Sequence, residues 1–136
     1  MKYLFDTDVI STMMKQRTSD RQRVRLEAIP SDSQAISAMS VMEVFHGAYR
    51  NPEPQRFITL FEKLVLPRVE VLPFDDDAAR IAGRVRAERE AAGKPMAPGD
   101  LQIAATALAN GRILVTGNVR HFSDVPGLDV EDWLEH

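Results

Sequence analysis

Polar side chains that suit metal binding follow several predicted strand ends and helix starts in this sequence. They are Asp6, Asp8, Glu43, Asp100 and Asn118. Acids at the rim of a core are costly unless positive charge meets them, and carboxylates that converge repel unless a cation lies between them. The candidate ligands are all oxygens, which favours Mg²⁺ or Mn²⁺ over zinc. Such an ion suits hydrolysis of phosphodiester bonds, because it lowers the pKa of a water molecule and offsets charge on phosphate.

Each acid also has a purely structural explanation. Ser40 and Glu43 have the spacing of a capping box, and Asp100 after Pro98-Gly99 suits an N-cap. Asp6 and Asp8 suit the start of the first helix. Taken singly, these capping explanations are favoured, whereas convergence of all the acids on one edge of a sheet favours a metal site.

The composition predicts one domain over residues 1–136 and excludes several classes of site. The chain has no cysteine, which excludes disulfides and thiolate metal sites. We find no signal peptide and no apolar run of membrane-spanning length, so we expect a soluble cytoplasmic protein. The net charge of −3 gives the whole chain no basic footprint for nucleic acid. The basic run over residues 15–25 is either a solvated helix face or a local phosphate-facing patch.

Apolar runs alternate with helical periodicity along the chain. The predicted strands cover residues 3–5, 33–39, 69–74 and 112–116, with one more near 128–130. The predicted helices cover residues 12–15 (capped by Ser11), 24–28, 40–50, 54–65, 75–92 and 101–110. This alternation predicts a parallel α/β sheet, in which sites form beyond the carboxyl ends of the strands.

Other catalytic classes find little support in the sequence. No Gly-x-x-x-x-Gly-Lys loop, Gly-x-Gly-x-x-Gly fingerprint or Gly-x-Ser-x-Gly elbow is present. His121 is interpreted as a surface histidine, with contact to a substrate as the alternative.

Four stretches, in order, resemble the motifs of PIN-domain ribonucleases, and the chain's length and the segment 125–128 resemble the VapC toxins of type II toxin–antitoxin pairs. The four stretches are residues 4–11 (LFDTDVIS), 37–47 (SAMSVMEVFHG), 98–108 (PGDLQIAATAL) and 115–122 (VTGNVRHF). The resemblance implies a three-layer α/β/α fold with a central, mostly parallel sheet of four to five strands. It also implies an endoribonuclease that depends on Mg²⁺ or Mn²⁺.

The resemblance further implies a role for individual residues. Asp6, Glu43 and Asp100 would bind the metal. Asn118 stands where the family often has Asp, so a second metal would be held more weakly. The residues that would orient the ligands are Thr7, Asp8 and Thr116.

Partners implied by the resemblance are an RNA substrate, a VapB-type antitoxin covering the acidic pocket, and a second copy of the chain. Apolar surface around residues 13–14 and 57–61 either receives the antitoxin or is plain core, and core is favoured.

Two other functions remain open beside the ribonuclease. One is a catalytically weak PIN module that acts by binding a partner, as Asn118 suggests. The other is a receiver-like phospho-signalling domain, which would need a Lys that residues 116–120 lack.

Overall fold

The computed structural model describes residues 1–15 and 18–134, so Arg17 of the basic run and His136 lie outside the described residues. Five strands are present in the described part: β1 (Tyr3–Phe5), β2 (Gln34–Ser37), β3 (Glu70–Leu72), β4 (Ile113–Val115) and β5 (Val130–Glu131). Their order is β3-β2-β1-β4-β5, and every neighbouring pair is parallel. The central strand is therefore β1, whose Leu4 lies opposite Ala35 on one side and Leu114 on the other.

Seven α-helices surround this sheet in the described residues. They are α1 (Thr7–Met14), α2 (Asp20–Ala28), α3 (Ala38–Tyr49), α4 (Pro54–Leu64), α5 (Asp76–Ala91), α6 (Pro98–Ala109) and α7 (Val119–Phe122). Short 3-10 turns cover Ser31–Ser33 and Leu66–Arg68. None of the helices within residues 1–15 and 18–134 is long and apolar enough to cross a membrane.

Successive residues of β1 face opposite sides of the sheet, and each side has its own core. Phe5 packs with the buried residues of α1 to α4, including Ile10 and Phe61. Leu4 packs with Ile103 of α6 and Phe122 of α7. Helices thus cover both faces, and the predicted three-layer α/β/α arrangement is confirmed, with all five strands parallel.

Several predicted boundaries are confirmed because Pro and Gly act locally. Helix α4 begins at Pro54, and α2 ends at Ala28, before Pro30. Helix α5 begins after Asp75, whose side chain accepts a hydrogen bond from the Ala78 backbone N–H at 3.0 Å. The predicted edge strand near residues 69–74 is β3, which indeed lies at one end of the sheet.

Three predicted N-caps were wrong, and α2 begins at Asp20, before the predicted start at residue 24. The first helix is capped by Asp6, which confirms the alternative given for this acid, and Ser11 lies inside the helix. Helix α3 is capped by Ser37, whose hydroxyl accepts from the Ser40 backbone N–H at 3.0 Å, so Ser40 and Glu43 form no capping box. Helix α6 begins after Ala97, so Asp100 lies in its first turn without being the N-cap. In each case the helix begins directly after the preceding strand or loop ends, a few residues before the predicted cap.

Candidate active site

Asp6 joins the end of β1 to the start of α1. Its Oδ1 accepts from the Thr7 backbone N–H and its Oδ2 from the Thr116 hydroxyl, each at 2.8 Å. The residue is only 5% exposed. Burial, with added repulsion from Asp8 and Asp100, raises the pKa of Asp6 to about 6. The carboxylate is therefore ordered by its neighbours and yet short of positive charge.

Glu43 reaches the same junction from α3. The Thr7 hydroxyl donates to Glu43 Oε1 at 2.8 Å and lies 3.0 Å from the Ser40 hydroxyl. Because Ser37 caps α3, the Glu43 carboxylate is not used at the start of its own helix and points across to α1. Thr7 thus contacts Glu43, and the supporting role that the resemblance implies for Thr7 stays a prediction.

Asp100 enters from the opposite face of the sheet, in the first turn of α6. A Cβ at the preceding residue, Gly99, would lie 3.2 Å from Met39 Cε and 3.8 Å from Glu43 Oε2. A glycine there allows the start of α6 to approach α3 closely. This close approach, which sequence reasoning missed, brings Asp100 to the edge that holds Asp6 and Glu43.

Asp8 and Asn118 hold the turn that follows β4. Asp8 Oδ2 accepts from the Gly117 backbone N–H at 2.8 Å and from the Asn118 side-chain amide at 3.4 Å. Burial is the main cause that raises the pKa of Asp8. Its Oδ1 is buried without a hydrogen-bond partner among the described residues. Asn118 therefore serves as a donor, a contact that an ionised Asp at this position could not make.

The predicted acids are neighbours, but they do not form a closed coordination shell. Nowhere in residues 1–15 and 18–134 do three or more His, Cys, Asp or Glu side chains stand in a group that could already hold a metal ion. The structure thus brings Asp6, Glu43 and Asp100 to one edge of the sheet, while their metal-binding and catalytic roles stay predictions.

His121 is the residue whose place at the site the sequence interpretation missed. Its side chain is 57% exposed, as expected of a surface histidine, yet its Nδ1 lies 3.1 Å from Asp100 Oδ2. The available signal was its position on the one-turn helix α7, directly after Asn118 at the carboxyl end of β4.

A groove of about 740 Å³ leads away from Glu43 between α1, α3 and α4. Its apolar lining includes Met14, which is also a core residue with Met13 and Phe61, and Phe57, which packs against that core. The favoured core explanation therefore holds for part of the predicted apolar surface, and the rest lines this groove.

Two cations, Lys15 and Arg56, line the same groove. Lys15 belongs to the predicted basic run, whose Arg23 and Arg25 instead pair with Asp20 and Glu131. Only part of that run therefore faces the groove, and Arg56 of α4 adds to it.

Comparison with known proteins shows the family to which this fold belongs. Residues 3–128 match the model of the PIN domain. A Shigella flexneri protein named tRNA(fMet)-specific endonuclease VapC is 37% identical over 134 residues, covering 98% of each chain. A solved VapBC from Salmonella typhimurium, bound to DNA, is 34% identical with a TM-score of 0.89 over 98% of each chain. VapBC2 from Rickettsia felis, bound to a DNA fragment from its promoter, has a TM-score of 0.90 at 26% identity and covers 98% of this chain and 99% of its own. The chain therefore belongs to the PIN-domain family, among the VapC proteins.

Proposed function

We propose that this protein is a metal-dependent endoribonuclease and the toxin of a VapBC-type toxin–antitoxin pair. The observation that carries the proposal is the meeting of Asp6, Glu43 and Asp100, from three separate elements, at the carboxyl edge of a parallel sheet. Ligand sites in such sheets form at this edge. Residues 1–136 would act as one catalytic domain.

A divalent cation fits the residues at this edge. The candidate ligand atoms are carboxylate, amide and hydroxyl oxygens, which suit Mg²⁺ or Mn²⁺. Asp6 carries a raised pKa because its charge is buried near other acids, and Asp8 Oδ1 has no hydrogen-bond partner in the described part of the chain. Asp6, Glu43 and Asp100 would hold the ion. When bound, it would supply an activated water and offset negative charge on the phosphate.

The remaining side chains orient the acids. The Thr7 hydroxyl fixes one oxygen of Glu43 and leaves Oε2 for another contact. Asp6 is fixed on both oxygens, by the Thr7 backbone N–H and the Thr116 hydroxyl, and its carboxylate lone pairs that these bonds do not use remain for the ion. Asp8 holds the turn at Gly117, which carries Thr116 and Asn118 into place. Asn118 places a neutral amide where a fourth acid would add negative charge. Because a second ion would be held more weakly there, the site favours a single tightly held ion.

RNA is the substrate class that the proposal names, and transfer RNA is the first to test. The support is the name of the 37% identical relative, a tRNA(fMet)-specific endonuclease. Work on RNA would place the protein in the cytoplasm.

An antitoxin is the proposed partner, by analogy with the solved VapBC complexes. The groove beside Glu43 is the proposed binding site for a segment of the antitoxin. Apolar side chains line the groove, and Lys15 and Arg56 would pair with acidic residues of the antitoxin. A peptide there would cover the approach to the acids. A dimer of two copies is part of the same proposal.

The test of the proposal is cleavage of an initiator tRNA transcript, with an unrelated tRNA and a messenger RNA as further substrates. We expect cleavage in Mg²⁺ or Mn²⁺ and none in EDTA. Asp6→Asn, Glu43→Gln and Asp100→Asn should each lower the rate by at least about 100-fold if these groups hold the ion.

The matched control is Asp129→Asn, because Asp129 is an exposed acid just before β5, at the opposite edge of the sheet. It should cut RNA at the wild-type rate. Full activity of Asp6→Asn and Asp100→Asn would overturn the assigned roles. Failure of the wild type to bind Mn²⁺ would instead support a weak PIN module, which the amide at Asn118 favours.

A further inference from the structure

The turn over residues 116–121 touches two of the predicted metal-binding acids, one at each end. At its start the Thr116 hydroxyl donates to Asp6 Oδ2 at 2.8 Å. At its end His121 Nδ1 lies 3.1 Å from Asp100 Oδ2. One short segment therefore spans the distance between the acid that follows β1 and an acid on α6.

Internal hydrogen bonds keep this turn compact. The Asn118 backbone N–H donates to the Thr116 hydroxyl oxygen at 2.9 Å, and the His121 backbone N–H donates to the Asn118 carbonyl at 3.0 Å. The next residue, Phe122, is completely buried in the core against α6. The backbone at His121 is thus held by a buried neighbour and a closed turn, although its ring is exposed.

In this contact His121 is the hydrogen-bond donor. An ionised carboxylate can only accept, so the proton between the two side chains is on Nδ1. The same bond forms whether the other ring nitrogen carries a proton or not. Among the described residues, His121 is the one side chain that hydrogen-bonds to the Asp100 carboxylate, whose residue is 28% exposed in its side chain.

We propose that His121 is a positioning residue for Asp100. By holding Oδ2, it selects one rotamer of a half-exposed acid and leaves Oδ1 for the divalent cation. Without this bond, Asp100 would lose rotamer entropy on binding the ion, so affinity would fall. The inference rests on the proposed function, because it assigns Asp100 to the metal.

Three substitutions at His121 distinguish the contribution of its N–H donor from the contribution of its aromatic ring. His121→Asn keeps an N–H near the position of Nδ1. His121→Gln moves the N–H to about the position of Nε2. His121→Phe keeps the ring and removes both donors. The readout is Mn²⁺ affinity by calorimetry or electron paramagnetic resonance without RNA, so that turnover is not needed.

We expect His121→Phe to weaken Mn²⁺ binding about 10- to 100-fold, the usual cost of losing a hydrogen bond to a metal-binding side chain. His121→Asn should stay within about 3-fold of the wild type, and His121→Gln should bind more weakly than His121→Asn. In an Asp100→Ala background, His121→Phe should cause no further loss, because the partner of the bond is gone.

His46→Phe is the control, since His46 is an exposed histidine of α3 with no hydrogen bond to the acids in the described structure. Unchanged Mn²⁺ affinity in His121→Phe, or equal losses in His121→Asn and His121→Phe, would overturn the inference. Unchanged Mn²⁺ affinity with slower RNA cleavage would also overturn it, because it would assign His121 to the substrate. Failure of the proposed function is distinguishable, since it would appear as absent Mn²⁺ binding by the wild type.

Discussion

At the scale of single residues, Asp6 contributes to folding in two opposite ways. Its Oδ1 caps α1 through the Thr7 backbone N–H, which stabilises the helix start. Its burial near Asp8 and Asp100 disfavours the charged form and raises the pKa to about 6. A residue whose charge costs stability, and which the fold nevertheless orders on both oxygens, has the character of a functional group.

The pH dependence of stability follows from this pKa. The pKa of Asp6 is 3.8 as a free group and about 6 when folded, so the folded state binds more protons between these values. Stability of the metal-free protein should therefore fall as pH rises from about 4 to about 6, and the penalty persists above that range. Asp6→Asn keeps a cap acceptor without the charge, so it should raise the free energy of unfolding at pH 7 by about 1–2 kcal/mol.

Urea unfolding of wild type and Asp6→Asn at pH 4 and pH 7, in EDTA, measures this difference. The two proteins should differ less at pH 4 than at pH 7. Asp20→Asn serves as control, because Asp20 is an exposed residue of a surface ion pair with Arg23. A wild type that gains stability between pH 4 and pH 6 relative to Asp6→Asn would contradict the assignment.

At the scale of elements, the order of the strands and of α1 to α6 could be predicted, but α7 and several helix starts could not. Apolar runs and the breaks at Pro30 and Gly111 identify each element locally. The start of α3 depends on whether Ser37 or Ser40 caps it, and both residues suit an N-cap. The choice depends on where β2 stops pairing with its neighbours, which is information from other parts of the chain.

The same limit explains which site contacts escaped prediction. The closeness of Asp6, Glu43 and Asp100 could be predicted, because acids at strand ends and helix starts stand out in a sequence, whereas their roles stay predictions. The bond from His121 to Asp100 could not, since it depends on how closely α6 and α7 pack. Gly99 gave a signal only once its closeness to Glu43 was visible.

The groove between α1, α3 and α4 gives a prediction about RNA. Lys15 and Arg56 line it together with Glu43, and neither forms an ion pair with another described side chain. In an Asp100→Asn background, Lys15→Ala and Arg56→Ala should each weaken RNA binding and lower the slope of log affinity against log salt by about 0.7–1. Fluorescence anisotropy with a labelled single strand at several salt concentrations measures both quantities.

Lys2→Ala is the control for this series. Lys2 is an exposed lysine at the amino-terminal start of β1, at the edge opposite the acids, and its carbonyl pairs with β4. It should leave the salt slope unchanged. Equal slopes for all three variants would exclude the groove as the path of the RNA.

At the scale of the whole molecule, β1 connects the two cores with the acidic edge. Its residues contact both helical layers, and it ends directly at Asp6. The acids come from β1, α3 and α6, so the site exists only when the sheet and both layers are assembled. A net charge of −3 does not exclude a locally positive surface, since Lys15 and Arg56 lie together in one groove.

The tail of the chain contributes to this assembly through Trp133. Its ring is fully buried, with centroids 5.1 Å from Tyr3 and 5.6 Å from Phe5, and the guanidinium carbon of Arg25 lies 5.6 Å from its centroid. Its indole N–H donates to Glu131 Oε1 at 3.0 Å. Trp133 therefore supports β1 from the side that carries α1 to α4.

Trp133→Ala should lower the free energy of unfolding by about 3–5 kcal/mol, because it removes a large buried ring from the core. This loss is a large part of the total stability of a typical domain, about 5–15 kcal/mol. Trp133→Phe should lower the free energy of unfolding less, since it keeps the contacts with Tyr3 and Phe5.

Urea unfolding followed by circular dichroism measures these differences. The control is Val24→Ala, a change at a side chain that is 60% exposed, which should stay within about 0.5 kcal/mol of the wild type. A Trp133→Ala protein as stable as Val24→Ala would mean that the tail does not support the central strand, and that the acids are held in place by α1, α3 and α6 without it.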